Sequence, residues 1–222
     1  MTGPAPIRLS RNETEALCQK AARGAGMPWG LAEEAGFAAG WLAAHGIDGA
    51  SALLERLTHR HGTAAGPATM INAHWQAPGG QSLCPIALGA ALSDHSHLII
   101  GPGRDRITTD RVLCPVLLLP FLDAIARHQS STLALIWTGG QLHTGANIKV
   151  FRAGAALLAA LAETPLSIGS MPATGVKPLP LQPAPLVAAD TFAGLDGLAL
   201  RTTVPATETS RRGAGAVSGD ND

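Results

Sequence analysis

The chain has 222 residues, 46% hydrophobic and 14% charged, with 16 Lys and Arg balancing 16 Asp and Glu; this composition excludes global disorder and leaves no positive field to gather a phosphate backbone, so no nucleic-acid partner is expected. The longest apolar run, Val112 to Leu122, falls short of the roughly 18 residues a membrane span needs. With no leader-like opening segment and three cysteines (Cys18, Cys84, Cys114) lacking CxxC spacing, the expectation is a cytoplasmic protein with no membrane partner.

In chain order, Ser10 followed by Glu13 forms a capping box for a first helix that carries Ala16, Leu17, Lys20 and Ala21 at helical spacing and ends at Gly24. Pro28 opens a second helix, with Trp29, Leu31, Ala35, Ala38, Ala39 and Leu42 on its apolar side and Gly46 as its stop. Gly30, Gly36 and Gly40 lower its propensity, which makes sense if they admit another backbone at close range. Asp48 caps a third helix through Leu57, and "HRHGTAAGPAT" follows as a loop. Residues 1–62 therefore read as a helical subdomain.

Beyond it the pattern changes to short apolar runs broken by Gly and Pro. "TMINAHWQ", "SLCPIALGAALSD", "HLII", "STLALIWTG" and "NIKVF" are expected as strands of a mixed sheet. Helices are expected over Cys114–His128, with Pro120 kinking or delaying the start, and over 154–163. The proline-rich "GVKPLPLQPAPLV" reads as an extended crossing, and Asp190 as the cap of a helix through Arg201. The fold class is α+β: a helical subdomain on a mixed sheet, an α/β body over 63–207, and a polar tail at 208–222. The two Leu-Cys-Pro segments at 83–85 and 113–115 do not repeat beyond themselves, so they read as one strand and one helix start.

Chemistry-bearing groups are few. Cys114 at a helix start could have a favoured thiolate, but its leucine-rich flanks favour a buried, inert thiol. "SDHSH" puts Asp94, His95 and His97 together, and on a strand the two histidines would share a face; a zinc site needs a third ligand, so metal is left unassigned. "HRH" at 59–61 suits a helix C-terminus. "GPGRDR" at 101–106 and "TSRRGAG" at 209–215 combine glycines and arginines in a way that could cradle a carboxylate or phosphate, although turn chemistry explains each as well. "RGAGMPWG" follows a helix where a dinucleotide fingerprint needs a strand, and no GK[ST] follows any glycine loop, so no cofactor is named. The tail, with Glu208, Arg211, Arg212, Asp220, Asn221 and Asp222, reads either as a solvated end or as a flap over a pocket; "DND" lacks the remaining ligands of a calcium loop.

Three blocks, "LSRNETEALCQKAARGAGMPWGLAEEAGFAAGWLAAHG" at 9–46, "CPIALGAALSD" at 84–94 and "RTTVPATETSRRGAGAVSGDND" at 201–222, together resemble the bacterial family DUF3726, whose function is unknown. The resemblance implies no catalytic residue. It does imply that the Gly-Met-Pro-Trp-Gly turn and the acidic tail are family features. Thr203 departs from it, standing where an aromatic is expected.

The leading expectation is binding of a small anionic metabolite, with acid/base catalysis in small-molecule catabolism as its extension. Its site would gather Trp29, Glu33 and Glu34 from the second helix, Asp94 and His95 after a strand, and Glu208, Arg211 and Arg212 from the tail. Arg211 would clamp a carboxylate; Glu33 or His95 would move a proton. The rival expectation is a non-catalytic accessory subunit or interaction module, resting on the glycine- and alanine-lined second helix, with a homo-oligomer or a partner subunit as the assembly; the third is a metal-dependent enzyme around Asp94, His95 and His97.

Overall fold

The computed structural model describes residues 5–59, 68–99, 106–145, 148–171 and 179–203, and within them the fold is α+β with a mixed six-stranded sheet. Helix α1 (Arg11–Gly24) opens with the expected capping box: Ser10 Oγ accepts the Glu13 amide, and the Glu13 carboxylate accepts the Ser10 amide at 2.7 Å. Helix α2 (Trp29–Ala44) is apolar almost all round because it is enclosed. α1 lies along its glycine side, Phe37 meets Phe121 edge-on at 6.3 Å, and Trp41 meets Phe151 at 6.1 Å. Gly46, in the left-handed region at φ 76°, stops it. Asp48 caps α3 (Gly49–Thr58) by accepting the Ser51 amide.

The close approach expected of the α2 glycines is made by α1 of the same chain. A Cβ on Gly36 would meet the Glu15 carbonyl oxygen at 2.7 Å, and one on Gly40 the Glu15 Cβ at 3.1 Å, whereas Gly30 has nothing within 4 Å. This surface is thus filled from within, and it gives no support to a partner subunit docking there.

Strands β1 (Thr69–Ile71) and β2 (His74–Gln76) form a hairpin turned by Asn72 and Ala73, both at positive φ. β2 pairs in parallel with β3 (Ile107–Leu113), the only parallel pair among the described strands, and the crossover between them contains α4 (Pro85–Asp94). A 3-10 turn (Pro115–Leu118) leads into α5 (Leu119–His128), followed by the hairpin β4 (Thr132–Trp137) and β5 (Gly140–His143), α6 (Ile148–Ala159), β6 (Glu163–Met171) and α7 (Ala189–Ala199). The sheet order is β1-β2-β3-β6-β4-β5. α7 returns to pack on α1 and α3, so helices from both ends of the described chain share one cluster and one continuous core with the sheet.

Several expected strands are helices. "SLCPIALGAALSD" forms α4: Pro85 pre-sets its first turn, and Ile86, Leu88 and Leu92 are all buried. A short apolar run enclosed on several sides has no periodicity to separate strand from helix. "HLII" contributes to a 3-10 turn at Ser96–Leu98, so His95 caps α4 and His97 sits in that turn, without sharing a strand face. "NIKVF" begins α6, which ends at Ala159, ahead of the expected limit of 163, because Glu163 already pairs with Leu113 in β6. Pro120 delays α5 as expected. Asp190 lies in the first turn of α7, whose cap is Ala188. Both Leu-Cys-Pro segments precede helical turns, and Leu83 bridges Val112 in parallel, so the two lie side by side.

Candidate functional site

Part of the expected constellation comes together where the first turns of α2 face the end of α4. Glu34 is half-buried, and its carboxyl is raised above the usual range by burial, then by the charges of Glu33 and Asp94. His95, the next residue, donates from Nδ1 to the Ala91 carbonyl at 2.9 Å and presents its ring to Trp75 edge-on at 6.1 Å. Trp29, 65% exposed, lies instead under the Arg23 guanidinium, 4.7 Å from its ring centre. Glu208, Arg211 and Arg212 fall outside the described residues. What this end assembles is a set of carboxylates that repel one another, which suits a cation or a proton better than an anion. His95 and His97 stand 6.2 Å apart between ring centres, and among the described residues no group of three or more His, Cys, Asp and Glu is placed to hold a metal.

A second constellation lies on the sheet. One face is apolar: Leu133, Leu135 and Trp137 of β4, Leu142 of β5, Leu166 and Ile168 of β6 and Ile107 of β3 all join the core. By strand alternation the other face carries their neighbours, and the register fixes who stands beside whom. Gln141 pairs with Ile136, Ile136 with Ser167, Ser167 with Thr108, and Thr108 with His74, so five strands supply one transverse row. In the next row His143 pairs with Ala134, and Ala134 with Gly169.

The small residues Ala134 and Gly169 leave a depression in this face. It is an open groove of about 370 Å³ lined by Ile136, Gln141, His143, Ser170 and Met171, with Arg106 at its edge. Arg106 is exposed and forms no ion pair with a described residue. It is the described end of the glycine–arginine segment that the sequence marked as an anion cradle; residues 101–105 lie outside the description.

Beside the groove, a bulge in β3 between Thr108 and Arg111 adds one residue to the strand, and Asp110 reaches His74 across the pair. His74 Nε2 lies 3.1 Å from Asp110 Oδ1, and Nδ1 lies 2.7 Å from Thr108 Oγ1. Asp110 Oδ2 also accepts the Ala77 amide at 3.0 Å, and that bond, with a smaller contribution from His74, holds its carboxyl below the usual range. An ionised carboxylate only accepts, so Nε2 carries the proton and Nδ1 is left to accept the Thr108 hydroxyl. Ser167, between Thr108 and Ile136 in the row, has a buried hydroxyl with no hydrogen-bond partner among the described residues, on the same face.

Sequence reading missed His74, Thr108, Asp110, Gln141 and His143. The signals for their strands were the alternation in "RITTDRV" and the Gly-Gly turn in "IWTGGQLH". Neither curated proteins nor solved structures include a match to this chain. Residues 9–84, spanning α1 to the start of α4, match the model of the family described as "Protein of unknown function (DUF3726)".

Proposed function

We propose that the chain binds a small anionic metabolite in the groove on the open face of its sheet, with Arg106 as the anion's partner. The carrying observation is Arg106 itself: an exposed guanidinium, without an ion-pair partner among the described residues, at the edge of a concave and mostly apolar depression. Its planar fork matches a carboxylate in two parallel hydrogen bonds, while Ile136, Ala134 and Met171 cover an apolar body and Gln141 and His143 add polar contacts. The volume is that of a small-metabolite site. This reading moves the anion site away from Glu33, Glu34 and Asp94, whose charges oppose it.

We also place the protein in a reducing compartment such as the cytoplasm. Cys18, Cys84 and Cys114 are all free and buried, and no helix among the described residues is long and apolar enough to cross a membrane. The binding test is a calorimetric titration with succinate. Binding that Arg106→Ala weakens by about tenfold or more, the scale of a lost charged hydrogen-bond pair, supports the reading. Equal binding by the variant, or none by the native chain, removes it.

A further inference from the structure

We propose that Thr108, His74 and Asp110 form a nucleophile, base and orienting acid that hydrolyse a carboxylate-bearing ester bound in the adjacent groove; this rests on the groove as the anion site. Three observations converge. First, the hydrogen-bond chain is continuous and has a direction: Asp110, fixed from one side by the Ala77 amide at 3.0 Å, accepts from His74 Nε2, so the bare Nδ1 faces the Thr108 hydroxyl at 2.7 Å. Second, the β3 bulge lies between Thr108 and Arg111, where it gathers Thr108 and Asp110 around one imidazole of the parallel neighbour β2.

Third, the set stands next to the groove in the sheet: Thr108 pairs with Ser167, one row along from Ala134 and Gly169, which line it. Arg106 precedes Thr108 by two positions and shares its face, about 6.6 Å along the strand. That spacing fits a short dicarboxylic acid monoester, its free carboxylate on Arg106 and its ester carbonyl at Thr108. A surface hydrogen-bond ladder would explain the first observation alone. It would not explain an arginine without an ion-pair partner among the described residues and a ligand-sized depression beside it.

The step balances without a redox partner. Thr108 Oγ forms a bond to the acyl carbon as His74 Nδ1 takes the hydroxyl proton, and the ester C–O bond breaks with that proton passing to the departing alcohol. Water then attacks the acyl-threonine, giving one proton to His74 and from there to Thr108 Oγ, and the carboxylic acid leaves. His74 moves protons; Asp110 is a positioning residue that holds the imidazole in the reactive tautomer.

The test uses the full chain and monomethyl succinate, with methanol release followed by NMR and methyl acetate as the uncharged comparison. The native protein should hydrolyse the charged ester in preference to the neutral one. Thr108→Val should lose about 10²–10⁴-fold in rate, Thr108→Ser should keep turnover, and Asp110→Asn should lower kcat with KM unchanged. Succinate binding without turnover, or undiminished turnover by Thr108→Val, would overturn the catalytic assignment and leave the groove reading standing. Failure to bind succinate would take both down.

Discussion

The Gly36 backbone lies against the Glu15 carbonyl so closely that a Cβ at residue 36 would stand 2.7 Å from that oxygen and 2.9 Å from Gln19 Cβ. Both neighbours are fixed near the backbone of α1, so neither can swing aside. Gly36→Ala gains helix propensity, worth up to about 1 kcal/mol in an open helix, but here it forces α1 and α2 apart. The expected outcome is a net loss of about 1–3 kcal/mol, read as a lower Tm. Gly30→Ala, with nothing within 4 Å of the added methyl, should raise Tm instead.

Glu34 differs from a typical surface glutamate in sharing its space with Glu33 and Asp94, and burial and those two charges raise its carboxyl above the usual range. A group whose folded pKa is raised contributes most below the ordinary carboxylate range, near 4.3, and loses that contribution as pH rises through the folded value. Glu34→Gln should therefore raise Tm at pH 7, by under about 1 kcal/mol because water screens the cluster, and the gain should fade toward pH 4. A gain that persists unchanged at pH 4 would mean the charges are not its source.

The helical part of the chain was readable because its signals are local. Ser10 with Glu13, Asp48 with Ser51, and Gly46 each fix a helix end through neighbours no more than four residues away. The sheet was harder for a physical reason. β6 carries Thr164, Leu166 and Ile168 on its inner side, but Pro165 and Gly169 interrupt the pattern, and its pairing with β3 and β4 depends on contacts far along the chain. α4 was misread because enclosure on several sides erases amphipathic periodicity. The groove inherits this difficulty: Arg106 was visible as an anion-binding residue type, but nothing local shows that Gly169 stands beside Ala134, or His74 beside Thr108.

The thiols provide a check on packing. Burial pushes Cys18 up to about 12, helped by the Asp48 charge, and pushes Cys114 up to about 12, helped by Glu55. Thiolate at pH 8 is then negligible for both, and Cys84 is buried as well. Ellman's reagent should find almost no reactive thiol in the native protein and three after unfolding in guanidinium. Fast labelling of Cys114 in the native state would show that the paired Leu-Cys-Pro segments open, and that its site at the start of the Pro115–Leu118 turn is less enclosed than the structure has it.

His45 sets the expected acid sensitivity of the fold. Its ring stacks on Trp41 at 3.8 Å between centres, and its Nδ1–H donates to the Trp41 carbonyl at 2.7 Å. Burial lowers its pKa; the Trp41 carbonyl and Asp123 oppose that, while Arg127 and Arg11 add to it. The unfolded imidazole takes up a proton near pH 6.5, above the folded one, so protonation favours unfolding. The contribution is complete above about pH 6.5 and is lost as pH falls toward the folded value. Asp123, raised chiefly by burial despite its 2.7 Å contact with Arg127 Nε, has the opposite sign: its contribution is greatest below the usual carboxylate range and declines as pH rises through its raised value. The two effects overlap, so the decisive comparison is between the native protein and His45→Gln, both measured by denaturant unfolding from pH 7.5 to 5. The native protein should lose stability through this window more steeply than the variant. Parallel curves would remove His45 as the source.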